Sequence, residues 1–102
     1  MASLSDGVIM FNSKLRVVLV NAQALSYTGL DPQSLDLDRL DSVMPGLDLK
    51  PRITEMLVKA KSLTVEKYRL RKRYYQLVFT PVKDNQGKVV SGAIVFHDVN
   101  RL

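Results

Sequence analysis

Apolar positions between residues 7 and 20 fall into two short runs. Gly7-Val8-Ile9-Met10-Phe11-Asn12 and Leu15-Arg16-Val17-Val18-Leu19-Val20 are too short for stable helices and rich in β-branched residues, which pack well on a pleated surface. Ser13 and Lys14 separate them, and the Asn12 side chain can fold back on its own backbone, so the pair predicts a β-hairpin. Asn21 is suited to cap a helix beginning at Ala22, which Gly29 stops in a left-handed turn. Asp31-Pro32 repeats the start signal and predicts a further short helix through about Leu37. Residues 39–44 predict one or two more turns, ended by Pro45-Gly46.

Residues 51–62 carry the clearest helical stripe. Ile53, Met56, Leu57 and Ala60 recur at i, i+3, i+4 and i+7, with Arg52, Glu55, Lys59 and Lys61 off the stripe. A methionine in such a stripe reads as core packing. From residue 64 the period changes to two. Val65, Lys67 and Arg69 alternate with Glu66, Tyr68 and Leu70, and residues 74–82 form a long aromatic and β-branched run. Asp84-Asn85-Gln86-Gly87 is a turn, and residues 88–97 form a last strand interrupted by Gly92. The order β-β-α-α-α-α-β-β-β predicts an α+β fold, an antiparallel sheet covered on one face by helices.

The chain's 102 residues, 46% hydrophobic and 25% charged, fit one globular domain with a single core. The absence of cysteine excludes disulfides, thiolate metal sites and thiol nucleophiles. No apolar run approaches the ~20 residues that span a bilayer, and the first residues lack the features of a secretory signal. A cytoplasmic domain without membrane contact of its own is expected, whether or not a parent protein is membrane-anchored.

The net charge of +5 is concentrated in Arg69, Arg71, Lys72 and Arg73, beside Tyr74 and Tyr75. Cations beside aromatics could bind nucleic acid. A solvated hairpin end guarded by basic side chains explains them better, because no helix-turn-helix, zinc-finger or RNA-binding signature accompanies them. No nucleic-acid partner is expected. Enzyme chemistry fails on inventory: His97 is the single histidine, and there is no Gly-rich phosphate loop or local nucleophile motif. Asp36, Asp38, Asp41 and Asp48 read as solvated helix ends, and no metal site is expected.

In register along some 95 residues, the chain resembles the PAS family. Asp6-Gly7-Val8-Ile9-Met10 matches its acidic-Gly-hydrophobic opening, and Asn21-Ala22-Gln23-Ala24-Leu25-Ser26-Tyr27-Thr28-Gly29 its first helix. Asp31-Pro32-Gln33-Ser34-Leu35 is similar to the next helix start but lacks its Glu. Thr80-Pro81-Val82-Lys83-Asp84-Asn85-Gln86-Gly87 and the segment from Gly92 to Val99 match the last two strands, with Asn100 in place of the usual Thr or Ser.

The resemblance implies a five-stranded antiparallel sheet in the order 2-1-5-4-3, with helices enclosing a pocket on one face. One domain over residues 1–102 is expected, its core about 6–98 and residues 99–102 the start of a linker to an output domain. It further implies a sensory, non-catalytic role, in the manner of two-component sensor histidine kinases. Cysteine-linked flavin or chromophore photochemistry is excluded. Haem is not expected, since the long helix offers no histidine, and no cofactor is assigned, although an unknown small molecule is left open.

With Gly92 facing the helices, Ile94 and Phe96 share its face, joined by Tyr75, Leu77 and Phe79 and by Met10 from the first strand. These six either line a small-ligand pocket or fill it, and filling is favoured. Ile9, Phe11, Tyr74, Val78, Ala93 and Val95 would then form an apolar outer face, predicting a homodimer. Asp98, Val99 and Asn100 stand where signal would pass to the output domain. A ligand-free interaction or dimerisation module is the competing reading, with nucleic-acid association through the basic hairpin behind it.

Overall fold

The computed structural model describes residues 5–100. Five strands, β1 (Gly7–Asn12), β2 (Val17–Val20), β3 (Leu63–Leu70), β4 (Arg73–Lys83) and β5 (Val89–Asp98), form one antiparallel sheet in the order β2-β1-β5-β4-β3. Three helices, α1 (Ala22–Thr28), α2 (Leu37–Val43) and α3 (Leu49–Lys59), connect β2 to β3. α1 packs on β1, while α3 lies on β4 and β5.

Local chemistry fixes the corners. The Asn12 carboxamide oxygen accepts from the N–H groups of Lys14 (2.9 Å) and Arg16 (3.1 Å), which turns the first hairpin. Asn21 caps α1 by accepting from Ala24 N–H at 3.0 Å. The same oxygen accepts from Val8 N–H at 2.9 Å, and the Asn21 amide donates to the Asp6 carbonyl at 2.9 Å. One side chain thus joins the helix start to β1. Gly29, at φ 72, ends α1 as its sequence position requires.

The helical region departs from the sequence expectation in two places. The helix expected over residues 31–37 is absent: residues 31–36 are not helical, and Leu37 begins α2. The Asp31 carboxylate accepts from Gln33 N–H and its carbonyl from Ser34 N–H, closing a single turn, and the segment has no apolar stripe to hold a longer one against the sheet. Asp36 instead caps α2, accepting from Arg39 N–H at 2.7 Å. α3 runs over Leu49–Lys59 instead of residues 51–62, because Ala60 turns left-handed at φ 54. Its buried stripe is Leu49, Ile53 and Met56.

β3 is also irregular. Its register with β4 slips between Val65 and Tyr68, so that Val65 faces Leu77 and Tyr68 faces Tyr75. The bulge brings both Val65 and Tyr68 to the helix side, where strict alternation would separate them. The core lies between this side of the sheet and the helices, with Leu40, Met44, Leu49, Ile53 and Met56 fully buried over Ile9, Phe11, Leu77, Phe79, Ile94 and Phe96.

Candidate functional site

The inner face is built in cross-strand rows. Gly7, Phe96 and Leu77 form one row, Ile9, Ile94 and Phe79 the next, and Phe11, Gly92 and Pro81 a third. Tyr75, Leu77, Phe79, Ile94 and Phe96 lie on this side, as expected from Gly92. The Met56 methyl occupies the space above Gly92: a Cβ added there would lie 2.6 Å from it. Side chains therefore fill the centre of this face.

The first strand reverses the expected parity. Met10 lies on the outer side, whereas Ile9 and Phe11, expected there, are both 0% exposed in the core. The cause is Gly7. A Cβ at that position would sit 3.0 Å from the Ala24 Cα, so α1 rests directly on the Gly7 backbone, and every second residue after it faces the helices. The Val8-Ile9-Met10-Phe11 run, apolar at every position, carries no such parity itself.

The outer face consequently presents Val8, Val95 and Val78 in one row and Leu19, Met10, Ala93 and Thr80 in the next, with Tyr74 beyond. Leu19 and Val18 are about half exposed. Near one end of this face, His97 Nδ1 lies 3.0 Å from a carboxylate oxygen of the buried Asp6.

At the end of β5, the Asp98 carboxylate accepts from Asn100 N–H (2.9 Å), from the Asn100 amide (2.6 Å) and from the Arg73 guanidinium (2.9 Å). The bonds from Asn100, followed by the Arg73 contact, pull the Asp98 carboxyl down to about 2, against the opposing effect of burial. Asn100 also exchanges hydrogen bonds with the Tyr74 backbone, donating to its carbonyl at 2.8 Å and accepting from its N–H at 2.9 Å. Val99 N–H donates to the same carbonyl at 3.2 Å. The asparagine amide acts as one more rung of the β4–β5 ladder. Sequence placed Asp98, Val99 and Asn100 at a junction; Arg73 and Tyr74 as their anchors were not legible. Residues 101–102 of the expected linker lie outside the described residues.

A cleft of about 370 Å³ opens beside this turn, lined by Ser26, Tyr27, Leu70, Arg71, Arg73, Tyr75 and Asp98. The Tyr27 and Tyr75 rings pack at 4.7 Å, tilted by 39°. Burial raises both phenols above their ordinary range. The β3–β4 hairpin turns through Arg71 (φ 53) and Lys72 (φ 81), a left-handed pair for which Asn-Gly is the usual choice. Such a backbone costs a non-glycine residue roughly 1–2 kcal/mol. It sends the Arg71 guanidinium against Gly29 and toward the Ser26 carbonyl, 3.4 Å away.

The remaining candidates are dispersed. Lys67 lies over the Tyr74 ring at 4.6 Å, and Arg69, Arg71, Lys72 and Arg73 are exposed along the hairpin. Asp38 pairs with Lys50 at 2.8 Å, and Asp41 accepts from Leu49 N–H at 3.3 Å. Among the described residues, no three His, Asp or Glu side chains converge as metal ligands, and no helix is long and apolar enough to cross a membrane.

A family model described as PAS fold matches residues 1–102. No curated protein matches the sequence. Several solved structures share the architecture. A domain described as belonging to a light and redox sensing histidine kinase from Haloarcula marismortui aligns with a TM-score of 0.72 at 18% identity, covering 93% of this chain and 90% of that one. A sensory box sensor histidine kinase from Vibrio cholerae gives 0.71 at 21% identity, with 95% and 81% covered. The N-terminal domain of a diguanylate cyclase with PAS/PAC sensor from Marinobacter aquaeolei gives 0.70 at 13% identity, with 92% and 94% covered. At these identities the likeness is one of fold.

Proposed function

The chain belongs to the PAS fold family, and on that premise we propose that it is the regulatory domain of a cytoplasmic signalling protein, a two-component sensor histidine kinase. As a PAS domain it is a sensory module and not itself an enzyme. The kinase context is supported by the similarity to domains of two sensor histidine kinases, while the cyclase neighbour shows the same fold in front of another output.

The observation that carries the proposal is the tie at the end of β5. Asp98, Val99 and Asn100 are fastened to Arg73 and Tyr74, so a change in the position of β4 reaches the turn directly. A contact transmits signal only if it differs between two states. Replacing Asp98 by Ala in the longer protein is expected to uncouple output from stimulus. Unchanged activity and response would refute the relay.

Homodimerisation belongs to the same reading, through the outer face as corrected: Val8, Met10, Leu19, Tyr74, Val78, Ala93 and Val95. A ligand-free docking module is the second reading, favoured by the filled inner face around Met56 and Gly92. Native mass spectrometry with a thermal-shift panel separates the two. A small molecule retained on the inner face supports sensing there, and its absence supports docking.

A further inference from the structure

We propose that the cleft between the C-terminal end of α1 and the β3–β4 hairpin is a ligand site for a small molecule carrying a carboxylate or phosphate on a flat apolar body. This site lies at the margin of the inner face, sharing Tyr75 with it, and away from the filled centre around Met56 and Gly92. Its volume of about 370 Å³ falls within the range of small-molecule pockets, roughly 300–1,000 Å³.

Charge selects the ligand. Arg73 and Asp98 neutralise each other at 2.9 Å. Arg71 has no carboxylate partner among the described residues. Its contact with the Ser26 carbonyl, at 3.4 Å, is at the long limit of a hydrogen bond and easily given up. Among the described residues the cleft therefore holds one uncompensated guanidinium, whose planar fork matches a carboxylate or a phosphate.

Shape selects the rest of the molecule. Tyr27 and Leu70 supply apolar wall, and the packing of Tyr27 on Tyr75 fixes that wall in place. The backbone adds a third argument. A hairpin loop built for stability alone would place Asn-Gly where Arg71 and Lys72 stand. The left-handed φ of Arg71 is what turns its side chain over the cleft.

Arg73 lines the same space, so an anion bound there competes with Asp98 for it. That coupling rests on the relay reading; the binding does not.

The test is an NMR titration of the 102-residue chain with two probes, benzoate and phenyl phosphate, against sodium chloride. Saturable shifts are expected at residues 26–29, 70–75 and 98–100, and the probe that saturates at lower concentration assigns the anion. Arg71→Gly removes the guanidinium while relieving the left-handed strain. It is expected to melt no lower than the parent chain, yet to bind the better probe about tenfold more weakly. Should that variant fail to fold, Arg71→Lys, which keeps the charge and loses the fork, is expected to weaken binding by a smaller factor. Shifts that never saturate, shifts confined to the inner face, or undiminished binding by the variant that folds would overturn the site. Saturable binding that leaves residues 98–100 unmoved would keep the site and break its link to the relay.

Discussion

The two faces of the sheet are made of much the same residues and end in different states. On the helix side, Ile9, Phe11, Leu77, Phe79, Ile94 and Phe96 have lost all contact with water. On the other side, Val8, Met10, Val78 and Val95 are only partly covered, and Leu19 is half exposed. Apolar composition alone does not decide which face becomes core. That choice comes from glycines: Gly7 admits α1 and Gly92 admits Met56, so helices settle on the face where both lack a side chain. The outer face keeps a partly exposed apolar surface.

The sharpest way to break this contrast is to truncate neighbours on opposite faces. Phe96→Ala empties a fully buried position and is expected to cost about 3–5 kcal/mol. Val95→Ala, one residue away on the outer face, should cost about 1 kcal/mol or less. Urea denaturation of the two variants measures the difference, and equal losses would mean that the outer face is as well packed as the inner.

Asn21→Ala comes next. It removes the cap of α1 together with one bond to β1 and one to Asp6 just before it, and a loss of about 2 kcal/mol is expected by the same measurement. A loss of only a few tenths would show that α1 is held by Gly7 packing alone.

Asp98 gives a smaller, pH-dependent effect. Its folded carboxyl titrates near 2, below the ordinary value of 3.8, so its stabilisation is complete above the ordinary value. It fades as the pH falls from about 4 toward 2. With Arg73 half exposed, the contribution is on the order of 1–2 kcal/mol. Asp98→Asn should lose it at neutral pH and flatten the acid limb of stability between those values. An unchanged limb would assign the acid sensitivity to other carboxylates.

Leu19→Lys should alter the stability of the folded monomer least, within about 0.5 kcal/mol, since the side chain is already 49% exposed. Sedimentation velocity carries the readout: the parent chain is expected to self-associate with concentration and the variant to remain monomeric. A parent chain that stays monomeric throughout would remove the outer face as a dimer surface.

Much of this arrangement was legible in the sequence, for local reasons. Asn12, the Asn21 cap, Gly29 and the 84–87 turn act within a few residues of themselves, and Gly92 sets the parity of β4 and β5. The parity of the first strand is not legible because Val8-Ile9-Met10-Phe11 is apolar at every position, while the cue that resolves it, Gly7, acts through the helix packed on it at Ala24. The helix expected over residues 31–37 rested on a start signal with no apolar stripe behind it. The cleft was illegible. Arg71 and Ser26 are 45 positions apart, and no periodicity in either segment points to the other.

The order β2-β1-β5-β4-β3 places the last strand made at the centre of the sheet. Until it arrives, the β1–β2 and β3–β4 hairpins each keep an open edge, and the pairing of Gly7 with Phe96 must close almost the whole length of the chain. On the ribosome, the sheet therefore stays incomplete until β5 has left the exit tunnel, with two exposed edges capable of pairing wrongly in the interval. A domain interrupted before β5 has two hairpins and no continuous sheet, so this strand is the one that completes the fold.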